Sequence, residues 1–123
     1  MTNLTTIINS IKDLATEILE LRLEAQELQS QIVYEKITIN GTKNHYERTV
    51  YESGEFKNDK TRDWALKDLL AENLEYLNAV SKVENLQNKI VVLENFIDEK
   101  KIELENQRLT FKKAEIDALK VGI

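Results

Sequence analysis

Apolar residues recur near the start of the chain at Leu4, Ile7, Ile11, Leu14, Ile18, Leu21, Ala25, Leu28 and Ile32, in steps that alternate three and four without a miss. That spacing is an a/d heptad seam, so it predicts a helix that packs as a coiled coil and not merely an amphipathic one. Thr2 and Asn3 are candidate N-caps, which places this first helix at about residues 3–34. A second seam occupies the other half of the chain. Leu69, Tyr76, Val83, Ile90, Ile97, Leu104 and Phe111 repeat every seven residues, with Ala79, Leu86 and Leu93 at the paired d positions before these turn polar at Lys100 and Gln107. Asn58 is a candidate cap, and Asp59 and Asp63 place negative charge where a helix dipole favours it. The second helix is therefore expected over about 59–120. Ser81-Lys-Val-Glu84 resembles a capping box and marks the one candidate break inside it.

The segment between the helices, residues 35–58, has a different pattern. Ile37-Thr-Ile-Asn-Gly-Thr sets Asn40-Gly41 between β-branched residues, the signature of a type I′ hairpin turn, and His45 to Tyr51 supplies a returning strand. A β-hairpin or irregular tip is the favoured expectation. The rival extends the first helix past Asn40-Gly41 and turns only at Ser53-Gly54.

The second helix carries more apolar residues than one seam uses. Leu70, Leu74, Leu77, Val91, Ile102, Leu109 and Ile116 lie on b and f positions, away from the a line that ends in Leu104 and Phe111. A two-helix hairpin leaves that second line in water, and a wide exposed apolar patch usually marks an interface. A first helix of about 30 residues also falls short of covering a second of about 60. Both points predict self-association through Leu70, Leu74, Leu77, Val91, Ile102, Leu104, Leu109, Phe111 and Ile116, most simply as an antiparallel dimer forming a four-helix bundle. The fold class expected is mostly α: one domain, a long antiparallel coiled-coil hairpin with a β-hairpin-like or irregular tip.

Composition supports this picture and narrows the chemistry. The 123 residues include no proline, no cysteine and three glycines, two of them, Gly41 and Gly54, in the middle segment. Without cysteine there is no disulfide framework, zinc-thiolate site or thiol nucleophile. A single histidine, His45, allows no His pair for a metal and makes a catalytic triad hard to assemble. Carboxylate metal sites in bundles recruit Glu-x-x-His motifs, and the sequence has none. Gly-rich phosphate loops and nucleophile elbows are missing too. No catalytic residue, cofactor or metal is therefore expected, and the chain does not read as an enzyme.

Charge bears on partners. Seventeen basic and 22 acidic residues give a net −5, where a DNA-binding domain is usually basic. Residues 100–123 are locally basic, but Glu103, Glu105, Glu115 and Asp117 interleave with the lysines, and dipole complementation explains the cluster. Direct nucleic-acid binding is thus disfavoured. No apolar run approaches the roughly 18 residues of a membrane span, and the first residues lack the basic and apolar regions of a signal peptide, so no membrane contact and a cytoplasmic location are expected. The middle segment offers Tyr34, His45, Tyr46, Tyr51 and Phe56 among polar neighbours, and aromatic groups are enriched in binding hot spots. These five residues form the expected contact with an unidentified protein partner. Trp64 is expected as a packing anchor between the tip and the helices.

The junction Glu55-Phe-Lys-Asn-Asp-Lys-Thr-Arg-Asp-Trp-Ala-Leu-Lys-Asp-Leu-Leu-Ala-Glu-Asn-Leu-Glu-Tyr76 resembles small helical-hairpin proteins of phages and mobile elements, which carry Lys-aromatic-x-Asn-x-x-x-Arg ahead of Leu-Ala-Glu-x-x-x-Tyr. The likeness covers roughly residues 54–111. It implies a phage-like accessory role, and the chain reads as a non-enzymatic interaction protein, an accessory or anti-defence factor acting by protein contact. The helix-hairpin-helix layout also looks like a β-type prefoldin subunit, which implies a holdase chaperone as the alternative. A nucleic-acid-binding accessory using the basic end of the second helix is the third reading.

Overall fold

The computed structural model describes residues 3–121. Helices hold 94% of them, and no strand occurs among the described residues. Three helices follow in order: α1 (Leu4–Ser53), α2 (Asp59–Glu72) and α3 (Leu74–Val121). Only Asn3, the connection 54–58 and Asn73 lie between or outside them.

The expected tip is replaced by helix. α1 runs unbroken through Asn40-Gly41 to Ser53, so neither an end near residue 34 nor a β-hairpin in 35–58 describes the chain. Two features account for this. The a line continues at sevenfold spacing beyond Ile32 through Ile39 to Tyr46, both half-buried. The d positions turn polar at Glu35, Thr42 and Thr49, but each finds a partner. Glu35 pairs with Lys82 at 3.7 Å. The Thr42 and Thr49 hydroxyls donate to the carbonyls of Thr38 and His45, one turn back. Back-bonding of this kind lets β-branched threonine sit inside a helix with its hydroxyl satisfied. A lone two-stranded hairpin offers no comparable burial.

Helix ends follow from local side chains. Asn3 accepts from the Thr5 amide at 3.0 Å and starts α1; Thr2, the other candidate cap, lies outside the described residues. α1 stops where the Ser53 hydroxyl donates to the Val50 carbonyl and Gly54 takes φ +66°, a left-handed conformation glycine adopts freely. Asn58 caps α2 as its sequence position suggests, accepting from the Thr61 amide at 2.9 Å. Arg62 fastens the connection by donating from Nε to the Phe56 carbonyl at 3.1 Å.

The second long helix is interrupted at Asn73, whereas Ser81 lies within continuous α3. Asn73 closes α2 and opens α3 at once. Its amide donates to the Leu70 carbonyl at 3.2 Å, and its side-chain oxygen accepts from the Tyr76 amide at 2.8 Å. With α1 at 50 residues, the argument for self-association from unequal helix lengths no longer stands.

The chain divides into two units. Unit 1 comprises Met1–Glu27 and Ile90–Ile123. Its core is a cluster of Ile18, Ile97 and Leu104, against which Ile11, Leu14 and Leu21 pack. Unit 2 comprises Leu28–Lys89 and buries Ile32, Val50, Leu70, Ala79, Val83 and Leu86. No polar or charged residue among those described is buried, so apolar contact alone fills both cores.

Candidate interaction surface

In unit 1 the outer face of α3 carries an apolar line among charged neighbours. Ile102 and Leu109 are each 61% exposed and Ile116 is 50% exposed, all at sevenfold spacing, and Val91 is exposed as well. Leu104, assigned to the same surface by sequence, is instead buried against Ile18 and Ile97, because its a position faces α1. Phe111 is half-buried. In unit 2, Leu74 and Leu77 are exposed, but Leu70 is buried and belongs to the core. Seven of the nine residues expected at the interface thus keep some exposure, and Leu70 and Leu104 do not.

Beside the unit 1 seam lies an open groove of about 940 Å³. Ile18, Leu104 and Phe111 form its apolar floor, and Leu109 of the outer line stands at its rim. Arg22, Lys101, Arg108 and Lys112 surround it, against two carboxylates, Glu105 and Glu115. Ala15 opens the space on the α1 side, since a methyl group stands there in place of a longer side chain.

Elsewhere in the same unit a charged cluster holds α1 to α3. Lys100, at a d position, lies 3.1 Å from Glu17 and 3.7 Å from Glu103. The hydrogen bond from Lys100 to Glu17, followed by the negative charge of Glu103, raises the ammonium above its ordinary pKa. A cation at a seam position is thereby paired and not stranded, and polar seam residues of this kind fix helix register.

Unit 2 distributes the aromatic residues of the middle segment along α1 and the connection. Tyr34 is 70% exposed along α1, and His45 is exposed one residue from half-buried Tyr46. Tyr46 accepts a 2.9 Å hydrogen bond from the side-chain amide of Asn73, tying α1 to the helix break. The Arg62 guanidinium stacks 4.2 Å over the Tyr51 ring, and Phe56 is half-buried in the connection. These five residues do not converge on one surface, because a continuous helix spreads 34, 45, 46 and 51 over several turns. Trp64 stands beside residues of α1, the connection and α2, but largely exposed. It is 56% exposed, with the Lys60 ammonium 5.2 Å above its ring, and lines a shallow apolar groove with Val50, Phe56 and Leu69.

Sequence reasoning followed the outer line of α3 and missed other exposed apolar residues. Leu19 and Leu23 are more than half exposed on α1, as is Val92 on α3, with Phe96 at 48%. Their signal was present, since Val92 and Phe96 are four apart and lie off the a/d seam. No group of histidine, cysteine or carboxylate side chains among the described residues has the arrangement of a metal site. No described helix is long and apolar enough to cross a membrane. No protein-family model, curated protein or solved structure matches this chain.

Proposed function

We propose that this chain is a non-enzymatic helical interaction protein, an antiparallel coiled-coil hairpin that assembles with further copies of itself. In the setting implied by its phage-like junction, it serves as an accessory factor acting through protein contact. The observation that carries the reading is the line Ile102, Leu109 and Ile116, at least half exposed at sevenfold spacing on α3. Three large aliphatic side chains in register present apolar area that association removes from water. The exposed Leu19 and Leu23 give α1 of the same unit a second such strip.

Sedimentation velocity over a wide concentration range tests the proposal. The mass is expected to rise above the 14.3 kDa of one chain. The double variant Ile102→Glu/Ile116→Glu should weaken assembly by roughly tenfold or more, since association would bury unpaired carboxylates. A wild-type chain that stays monomeric at every concentration refutes the reading.

A further inference from the structure

The balance of charge in unit 1 differs between two edges of its helix pair, since four cations outnumber Glu105 and Glu115 in the groove while two carboxylates surround Lys100 on the other edge. On one edge is the groove rimmed by Arg22, Lys101, Arg108 and Lys112. The other edge is located by Glu17 and Glu103, which both meet Lys100. Residues seven or fourteen apart share a helix side, so Glu24 stands with Glu17 on α1, and Asp117 with Glu103 on α3. Phe96, seven before Glu103, falls on this acidic edge, nearly half exposed, with Val92 one turn away. Over residues 13–27, α1 carries five carboxylates against one cation, Arg22, and that cation lines the groove on the other edge.

We propose that the groove of unit 1 receives the acidic edge of a second copy of this chain. Phe96 of one copy seats on the Ile18, Leu104 and Phe111 floor of the next, while Glu24 and its neighbouring carboxylates meet the cationic rim. This rests on the self-association reading and adds to the outer line of α3 a second contact between copies, at the groove edge. An exposed aromatic flanked by acids complements an apolar groove flanked by bases in both shape and charge. Because the two edges differ, the contact is heterologous. It builds a ring or an open chain of copies, not a closed pair joined by one self-complementary patch.

Complementation by charge reversal tests this. One variant reverses the groove rim (K101E/R108E/K112E) and another reverses the edge (E24K/D117K); the Glu17–Lys100–Glu103 cluster is left intact in both. Each variant alone should assemble roughly tenfold or more weakly than wild type by sedimentation velocity at low salt, because like charges then face each other. An equimolar mixture should recover assembly, since each variant offers the edge that the other lacks. Phe96→Ala should weaken assembly with no charge change. Far-ultraviolet circular dichroism checks that helicity is kept, and K101Q/R108Q/K112Q replaces the reversed groove if it is not.

If wild type assembles but neither reversal nor Phe96→Ala changes its mass, the groove contact is wrong and the self-association reading stands. A monomeric wild type overturns both. Should groove reversal leave the mass unchanged but abolish retention of a mixed-sequence single-stranded DNA oligonucleotide, the groove serves a polyanion and the inference fails.

Discussion

The two units use the same heptad repeat in different ways. In unit 1, α1 supplies apolar residues at every a and d position from Leu4 to Ala25, and the polar seam residues Lys100 and Gln107 enter only from α3. In unit 2 the α1 seam keeps apolar a residues but carries Glu35, Thr42 and Thr49 at d, each held by its own ion pair or hydrogen bond. Unit 2 also contains the 54–58 connection and the break at Asn73. The difference shows that a helix persists on one apolar line if the polar groups on the other are satisfied. It also separates roles: unit 1 has a regular seam and a groove in which cations outnumber carboxylates, whereas unit 2 contains the turns.

The strongest probe of this contrast is packing. Leu104→Ala removes a buried side chain from the core cluster of unit 1 and should cost about 2–5 kcal/mol, read as a lowered urea midpoint. Ala79 is its small counterpart in unit 2, 3% exposed at a d position. Ala79→Leu should cost about 1–3 kcal/mol by overpacking. A neutral Ala79→Leu would mean that unit 2 is loosely packed and that the two cores are not alike in density.

Next in size is the break. Asn73 caps α3 through the Tyr76 amide and donates to Tyr46, so one side chain serves two connections. Asn73→Ala should destabilise by about 1–2 kcal/mol in chemical denaturation. Tyr46→Phe removes only the second bond and should cost about 0.5–1.5 kcal/mol. Equal losses would place all the value of Asn73 in its contact with α1 and none in the cap.

Much of this architecture was legible in the chain. Heptad spacing located both seams, since burial at Ile18, Val83, Leu86, Leu93, Ile97 and Leu104 follows the a/d positions. Asn58 was legible as a cap for the same local reason that it caps. Residues 35–53 were not, because Ile37-Thr-Ile and Asn40-Gly41 carry local strand and turn preferences that the tertiary seam overrides. Asn73 was missed because it sits between good helix formers, and its bond to Tyr46 joins residues 27 apart in the chain. Of the candidate surface, the outer line of α3 was readable from periodicity. The groove was not, since it depends on Arg22 of α1 meeting residues of α3 far away in sequence.

The glycines turn the corrected middle segment into a direct experiment. Gly41 lies inside α1 with nothing within 4 Å of an added Cβ, so Gly41→Ala should stabilise by about 0.5–1 kcal/mol. In a type I′ turn the same substitution would destabilise, because alanine resists positive φ. Gly54 also has open space around it, but its φ of +66° makes Gly54→Ala costly by about 1 kcal/mol. Opposite signs at the two positions support helix at one and turn at the other. Thermal melts of both variants decide it, and destabilisation at Gly41 would restore the hairpin.

The smallest effect expected is electrostatic and separates the units by pH. Lys100 is raised above its ordinary value of 10.5 by Glu17 and Glu103, so folding favours its charged form. Its stabilising contribution is full below the unfolded lysine pKa and disappears as pH rises through the higher folded value. Lys100 side chain is one-third exposed, and solvent screening keeps the contribution small. Lys100→Gln should therefore show a slight, constant loss of stability from neutral pH up to the ordinary lysine range, and that gap from wild type should close as pH rises through the raised folded value. Raising salt should narrow the same gap at neutral pH. If the gap persists unchanged into strong alkali, Lys100 stabilises unit 1 through the packing of its aliphatic stem along the seam, and the charged cluster does not distinguish the two units.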